Sequence, residues 1–381
     1  MKKRYLLTPG PTTIPEKVLL AMAEPIIHHR TNEYRKILGE VIENLKYVFQ
    51  TKNDVLILAS SGTGAMEAAV VNLLRRGEKA LVVRGGKFGE RFAEIGEAYG
   101  ARIENLDVEW GKAVSPHDIQ KIMENDKEIK AVFVTLCETS TGVVNNVAAI
   151  GNIVKETGAC LVVDAISALG SVEIKTDEWG LDMVVAGSQK GLMIPPGLAF
   201  ISVSEKAWTK IKEGPKGDNT LPSFYFDLKK ARESLLKIDH PFTPPVTLVL
   251  ALREALAMIK EEGLERVLAR HRRLAEAMRA GMKALGLELY GESPSDSITA
   301  VKVPPGIDGL ALVKKLSEEY GLTVAGGQEE LKGKIFRIAH MGYSDRFDMI
   351  IAISAVEMVL KKMGAEITLG AGVKAAEEIL I

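Results

Sequence analysis

Three polar clusters each follow an apolar run, and each offers a different chemistry. The run Met183–Ala186 leads into Gly187-Ser188-Gln189-Lys190-Gly191, with Pro195-Pro196-Gly197 soon after. A lysine at a strand end between glycines is badly placed for solvation. Desolvation in a cleft lowers an amine's pKa and makes it nucleophilic enough for Schiff-base chemistry. The run Leu161-Val162-Val163 ends in Asp164, which as a lone residue reads as a helix cap. If buried, it needs a cationic or donor partner. The third run, Val55–Ala59, leads into Ser60-Ser61-Gly62-Thr63-Gly64 and then the helix-forming Ala65-Met66-Glu67-Ala68-Ala69. Small residues at a helix N-terminus present free N–H groups and the positive dipole end to a phosphate. Alone, this turn is better read as a plain cap. It also lacks the lysine of a nucleotide P-loop and the spaced glycines of a dinucleotide site. In open α/β sheets ligands sit outside the carboxyl ends of strands, so one ligand can meet all three clusters.

The elements that must hold these residues are legible as alternation. Val55–Ala59, Ala80–Val83, Ala131–Leu136, Cys160–Val163, Met183–Ala186 and Leu198–Val203 are nearly continuous apolar runs separated by helical segments. That pattern predicts an α/β fold with a mostly parallel sheet covered on both faces. Tyr34, Ile37, Leu38, Val41, Ile42, Leu45, Val48 and Phe49 form one buried helical stripe. The proline-rich Thr8–Pro15 reads as extended, and Ser204–Asp239 as a long irregular connection. Two long helices are expected at Thr247–Glu262 and Leu264–Leu285. Leu287–Tyr290, Thr299–Val303, Leu310–Tyr320, Ile335–Ile338 and Phe347–Met363 read as a smaller α+β domain.

At 381 residues the chain is long enough for two domains. Its 49 basic and 50 acidic side chains nearly cancel, giving no reason to expect nucleic acid or a membrane as partner. Arg270-His271-Arg272-Arg273 reads as a solvated helix face. The cysteines Cys137 and Cys160 read as small buried hydrophobes, not a disulfide framework. No cluster has metal-ligand spacing, so no metal is expected. The basic start, Met1-Lys2-Lys3-Arg4, is no signal peptide and no run is long enough to span a bilayer, so a cytoplasmic protein is expected.

Together, a phosphate-binding helix start, a strand-end carboxylate and a strand-end lysine are what pyridoxal phosphate requires. The chain resembles the class V, fold-type I aminotransferases, within them the alanine–glyoxylate and serine–pyruvate group. The resemblance runs from Thr8-Pro9-Gly10-Pro11 to about Met363. It is carried most specifically by Ser61-Gly62-Thr63-Gly64-Ala65-Met66-Glu67-Ala68, Glu138-Thr139-Ser140-Thr141-Gly142, Val163-Asp164-Ala165, Gly187-Ser188-Gln189-Lys190 and Pro195-Pro196-Gly197. It implies a seven-stranded-type sheet and three parts: an extended segment over 1–15, a large cofactor-binding domain over 16–250 and a small domain over 251–381. It also assigns roles. Ser61, Gly62, Thr63 and Gln189 fall at the cofactor phosphate, with Thr63 where relatives often carry His. Phe88, often Trp in relatives, and Ile166 lie on the two ring faces, and Thr139 near the phenolic oxygen. His240, where Tyr is usual, and Thr243 reach the phosphate from the second subunit of a homodimer. Gly10 and Arg337 bind substrate, Arg337 by its α-carboxylate.

The mechanism this implies uses Lys190 as the internal aldimine and then as the base, while Asp164 keeps the pyridinium protonated. Two half-reactions at one site give ping-pong transfer from an amino acid to a 2-oxo acid. Arg30 and Arg84 are the only candidates for a second carboxylate ligand, so serine or alanine is expected as donor and pyruvate or glyoxylate as acceptor. An aspartate or broad-specificity transaminase is the alternative. A cysteine desulfurase would need a mobile cysteine, and a nicotinamide dehydrogenase its glycine fingerprint. His28 and His29 read as interface residues.

Overall fold

The structure is a computed structural model that describes residues 3–212, 221 and 223–381. Its centre is one seven-stranded sheet. The strands are β1 (Asp54–Leu58), β2 (Lys79–Arg84), β3 (Arg102–Asp107), β4 (Ile129–Thr135), β5 (Cys160–Asp164), β6 (Met183–Gly187) and β7 (Ala199–Val203). In space they run β1-β7-β6-β5-β4-β2-β3. Only β7 is antiparallel to its neighbours.

The continuous apolar runs follow from covering both faces. In β5, Leu161 and Val163 point into one core and Cys160 and Val162 into the other. The first core is closed by α1 (Glu16–Ala23), α2 (Asn32–Phe49), α5 (Pro116–Asn125), α6 (Val147–Val154) and α9 (Val246–Glu262). The second is closed by α3 (Gly62–Leu73), α4 (Lys87–Ala98), α7 (Glu205–Lys212) and α8 (Leu228–Leu235). A third core joins α10 (Leu264–Ala284), α11 (Gly309–Tyr320), α12 (Arg346–Lys362) and α13 (Ala371–Leu380) to a three-stranded antiparallel sheet. Its strands are β8 (Ile298–Lys302), β9 (Ala325–Gly326) and β10 (Ile335–Ala339), in the order β8-β10-β9. Within α10, Val267 packs on the first core and Leu274 on the third.

Four readings of the sequence change. The connection Ser204–Asp239 carries α7 and α8, while residues 213–220 and 222 within it lie outside those described, as do Met1 and Lys2. Leu287–Tyr290 contributes only the isolated bridge Leu289↔Val301. The strand β3 carries no apolar run because it is an edge strand with charged residues facing out. In the basic stretch of α10, Arg272 and Arg273 are exposed but His271 is buried. Its Nδ1 meets the Val267 carbonyl at 2.7 Å and its Nε2 accepts from Gly342 N–H at 2.9 Å.

The N-terminal segment is a strap between the seven-stranded and the three-stranded sheets. Tyr5–Leu6 pairs in parallel with Leu322–Thr323, and Leu7 O accepts from Ala339 N–H at 2.8 Å. A few residues on, Thr12 N–H donates to Gln189 O at 3.2 Å. The strap therefore joins the end of β10 to the loop after β6.

Candidate active site

The loop after β6 carries Lys190. Ser188 Oγ donates to Pro195 O at 2.7 Å and accepts from Leu198 N–H at 3.2 Å, closing the loop on itself. Thr12 Oγ1 donates to Lys190 O at 3.0 Å, and Lys190 Nζ donates to Pro9 O. Gly10 lies flat on the lysine: a Cβ there would come within 2.6 Å of Lys190 Cδ. Burial holds the amine down to about 8, against the pull of the Asp164 charge.

Asp164, at the end of β5, is 4% exposed. Its Oδ1 accepts from Ile166 N–H at 2.7 Å. Burial pushes the carboxyl up to about 7, the Ile166 N–H holds it down, and the Glu138 charge adds to the rise. Ile166 in turn packs on the α3 start, where a Cβ on Gly62 would lie 2.5 Å from Ile166 Cδ1. A Cβ on Gly187 would lie 3.2 Å from Gln189 Oε1 and 3.7 Å from Gly62 Cα. Gly62, Ile166 and Gln189 thus meet at the first turn of α3. Ser61 is the N-cap there and makes no side-chain cap bond, which leaves the first-turn N–H groups unclaimed by it. Thr63 Oγ1 accepts from Arg91 Nη1 at 3.3 Å, and the Arg91 guanidinium lies 4.9 Å from the Phe88 ring centre.

The third side is the turn after β4. Thr139 Oγ1 is 2.6 Å from Ser167 Oγ, and Thr139 O accepts from Arg337 Nη1 at 2.7 Å. Arg337, on β10, also donates from Nε and Nη2 to Gly326 O at 3.0 and 2.7 Å. Gln328 Oε1 accepts from its Nη1 at 3.4 Å. Burial lowers Arg337 to about 10, and the nearby Glu138 charge offsets part of this. The guanidinium is aimed by backbone carbonyls and has no carboxylate in ion-pair contact among the described residues.

The structure does not bring every expected residue into this cluster. His240 is buried in its own chain with Nε2 3.0 Å from Tyr34 Oη, and burial lowers it to about 4. Thr243 is exposed. Arg30 pairs with Asp239 at 2.6 Å and Arg84 with Asp107 at 2.6 Å, so neither is an uncommitted cation. The rings of His28 and His29 lie 4.7 Å apart, tilted by 35°. Conversely, Arg91 and Glu138 were not singled out from the sequence. Glu138 is 1% exposed and accepts from Phe88, Gly89 and Ser140 N–H. Arg91 was recoverable from its i+3 spacing to Phe88 on one helix face.

These residues fit pyridoxal phosphate. Gln189 Oε1 is buried without a hydrogen-bond partner, and an amide rotated end for end presents its NH₂ to a phosphate instead. Asp164 is a buried carboxylate at a cost that a ring-nitrogen cation would remove. Glycine at position 62 keeps the first turn of α3 close to Ile166 and Gly187, where a side chain would fill the space.

Comparison with known proteins agrees with this chemistry. The family described as aminotransferase class-V matches residues 4–351. A Synechococcus protein named soluble hydrogenase, small subunit, is 47% identical over 99% of this chain and 98% of its own length. The serine–glyoxylate aminotransferase of Methylorubrum extorquens is 39% identical, covering 99% of this chain and 96% of the relative. The crystal structure of ureidoglycine–glyoxylate aminotransferase from Bacillus subtilis superposes with a TM-score of 0.95 at 32% identity, over 100% of this chain and 98% of that one.

Proposed function

The chain belongs to the class-V aminotransferases, whose cofactor is pyridoxal 5′-phosphate, and we propose that it transfers the amino group of serine or alanine to glyoxylate or pyruvate. The observation that carries this reading is the convergence of Lys190, Asp164 and Arg337 on one site, with Arg30 and Arg84 committed to ion pairs elsewhere. A substrate with one carboxylate satisfies Arg337, and the relative named for serine and glyoxylate supports the same donor class.

When bound, the cofactor supplies an electron sink for the pair left behind as the substrate loses its α-proton. The chain's own residues do the rest. Lys190 is the covalent attachment point and, once displaced by the substrate amine, moves the proton through Nζ; an amine held near neutrality suits that task. Asp164 would accept a hydrogen bond from the ring nitrogen and keep its proton in place. Ser61, Gly62, Thr63 and Gln189 would hold the phosphate, Phe88 and Ile166 would contact the ring, and Thr139 would meet its phenolic oxygen. Arg337 orients the substrate carboxylate beside Gly10. Donor and acceptor then use one site in turn, which makes the kinetics ping-pong.

The working assembly in this reading is a homodimer, with Thr243, and His240 behind it, offered to the other subunit's phosphate. In this reading the large unit runs over 16–250 and the small unit over 251–381, and α10 spans both, with Val267 on the first core and Leu274 on the third.

Borohydride reduction followed by peptide mapping should place the cofactor on Lys190; an adduct on another lysine would sink the assignment. Single-turnover absorbance changes with alanine, serine and aspartate test the donor class. Aspartate reacting best would replace the small-side-chain reading with the dicarboxylate one. Hydrogen-dependent dye reduction should be absent, since the site assembled here is one for amino transfer despite the name of the Synechococcus relative.

A further inference from the structure

Glu138 is a carboxyl group in an unusual place: burial pushes its pKa up, and the hydrogen bonds from Ser140, Gly89 and Phe88 pull it back down. Its carboxylate is 1% exposed, and no lysine or arginine lies within ion-pair distance of it among the described residues. Neutral donors surround it instead. Oε2 accepts from Phe88 N–H at 3.1 Å and Gly89 N–H at 3.0 Å. Oε1 accepts from Ser140 Oγ at 2.5 Å, Ser140 N–H at 3.2 Å and more weakly Phe88 N–H at 3.4 Å. Ser140 Oγ also accepts from Lys87 N–H at 3.1 Å. The unpaired N–H groups and dipole of a helix start stabilise an anion there.

The helix so capped is α4, and its own N-cap, Gly86, has no side chain with which to do the work. Glycine is required at that point, because a Cβ would lie 2.5 Å from Glu138 Cγ and Cδ. A serine or aspartate at position 86 would have capped α4 locally. The cap comes instead from the turn after β4, whose next residue, Thr139, aims Arg337 through its carbonyl. One dipeptide therefore registers the start of α4 to the substrate-side arginine.

We infer that Glu138 is a positioning residue that fixes Phe88, and through Phe88 the cofactor ring, in register with Arg337. This rests on the reading of Phe88 as the residue on the ring face. The carboxylate grips Phe88 by its main-chain N–H, so the ring of Phe88 keeps its height above the site only while both oxygens are held.

A double-mutant cycle on cofactor affinity tests it, using the apoprotein titrated with pyridoxal 5′-phosphate and the thermal midpoint of each apoprotein. Glu138→Gln keeps the volume but replaces one acceptor oxygen with an NH₂ that turns a donor toward donors, and should weaken cofactor binding about tenfold or more; in a Phe88→Ala background the same change should cost less than about twofold, because groups acting through one another are not additive. A full tenfold loss in both backgrounds would show Glu138 to be a structural cap only, and would overturn the inference. If Phe88→Ala alone left affinity unchanged, the ring-face reading of Phe88 would itself fail, and the inference with it. Ser140→Ala removes one hydrogen bond to the Glu138 carboxyl and leaves the carboxyl itself in place. Should Glu138→Gln not fold, that variant in the same cycle decides by the same non-additivity.

Discussion

Asp164 and Lys190 are shifted toward each other by the same cause, burial, acting on opposite charges. For Asp164 the folded pKa, about 7, stands above the ordinary carboxylate value. The stability this contributes to the apoprotein is present below the unfolded pKa and is lost as pH rises through about 7. A ring-nitrogen cation removes that loss. The rise in thermal midpoint on adding cofactor should therefore be larger at about pH 8 than at about pH 5.5, and Asp164→Asn should abolish the difference. That variant should leave the apoprotein no less stable at the higher pH while slowing turnover by about 10²–10³-fold, the usual scale for removing one electrostatic contact to a developing charge. Lys190 works in the other direction. Its amine is proton-accepting above about 8, so the single-turnover rate should climb to about that pH and then level. Lys190→Ala should retain the cofactor and lose about 10⁴-fold or more in rate. A Lys190→Ala rate within tenfold of wild type would remove it as the base.

Elements show why part of this was legible from sequence and part was not. The six apolar runs became sheet strands because a strand covered on both faces must be apolar throughout, and the three polar clusters at their ends met as that geometry requires. The seventh strand, β3, escaped because edge strands advertise themselves by charge, not by apolar runs. α7 and α8 were hidden among the glycines and prolines around them. Glu138 stood inside a quoted motif, yet its role depends on α4, which lies far from it in sequence, so no local pattern could reveal it. Gly10 is a similar case. Besides the substrate role expected of it, it packs on the Lys190 side chain at a φ of +119°, a conformation and a closeness only glycine allows. Gly10→Ala should cost about 1–2 kcal/mol from the backbone alone. It should also displace the lysine, lowering kcat at saturating cofactor. An unchanged kcat and thermal midpoint would mean the strap yields freely.

At the scale of the whole molecule, one chain leaves something over. Thr243 follows Phe242, whose ring stacks on Tyr225 at 4.9 Å with Phe224 at 5.7 Å. Phe224 is 75% exposed and Leu236 and Ile26 are 74% and 71% exposed. Large apolar side chains this open favour burial against another surface, and Thr243, next to Phe242, is exposed and makes no side-chain hydrogen bond among the described residues. If the phosphate of each site meets Thr243 of the other chain, the defect and its remedy should sit on different subunits. Thr243→Asp places a like charge beside the phosphate and should weaken cofactor binding by about 10²-fold. Lys190→Ala is dead for another reason. Mixed dimers of these two chains contain one site with an intact lysine from one chain and an intact threonine from its partner, and one site with both defects. Mixing should therefore restore activity at limiting cofactor, up to half that of wild type per mixed dimer. Were Thr243 to act within its own chain, every lysine-bearing site would carry the aspartate and mixing would restore nothing. Sedimentation of the unmixed protein completes the argument, since a fully active monomer leaves no second chain from which Thr243 can reach.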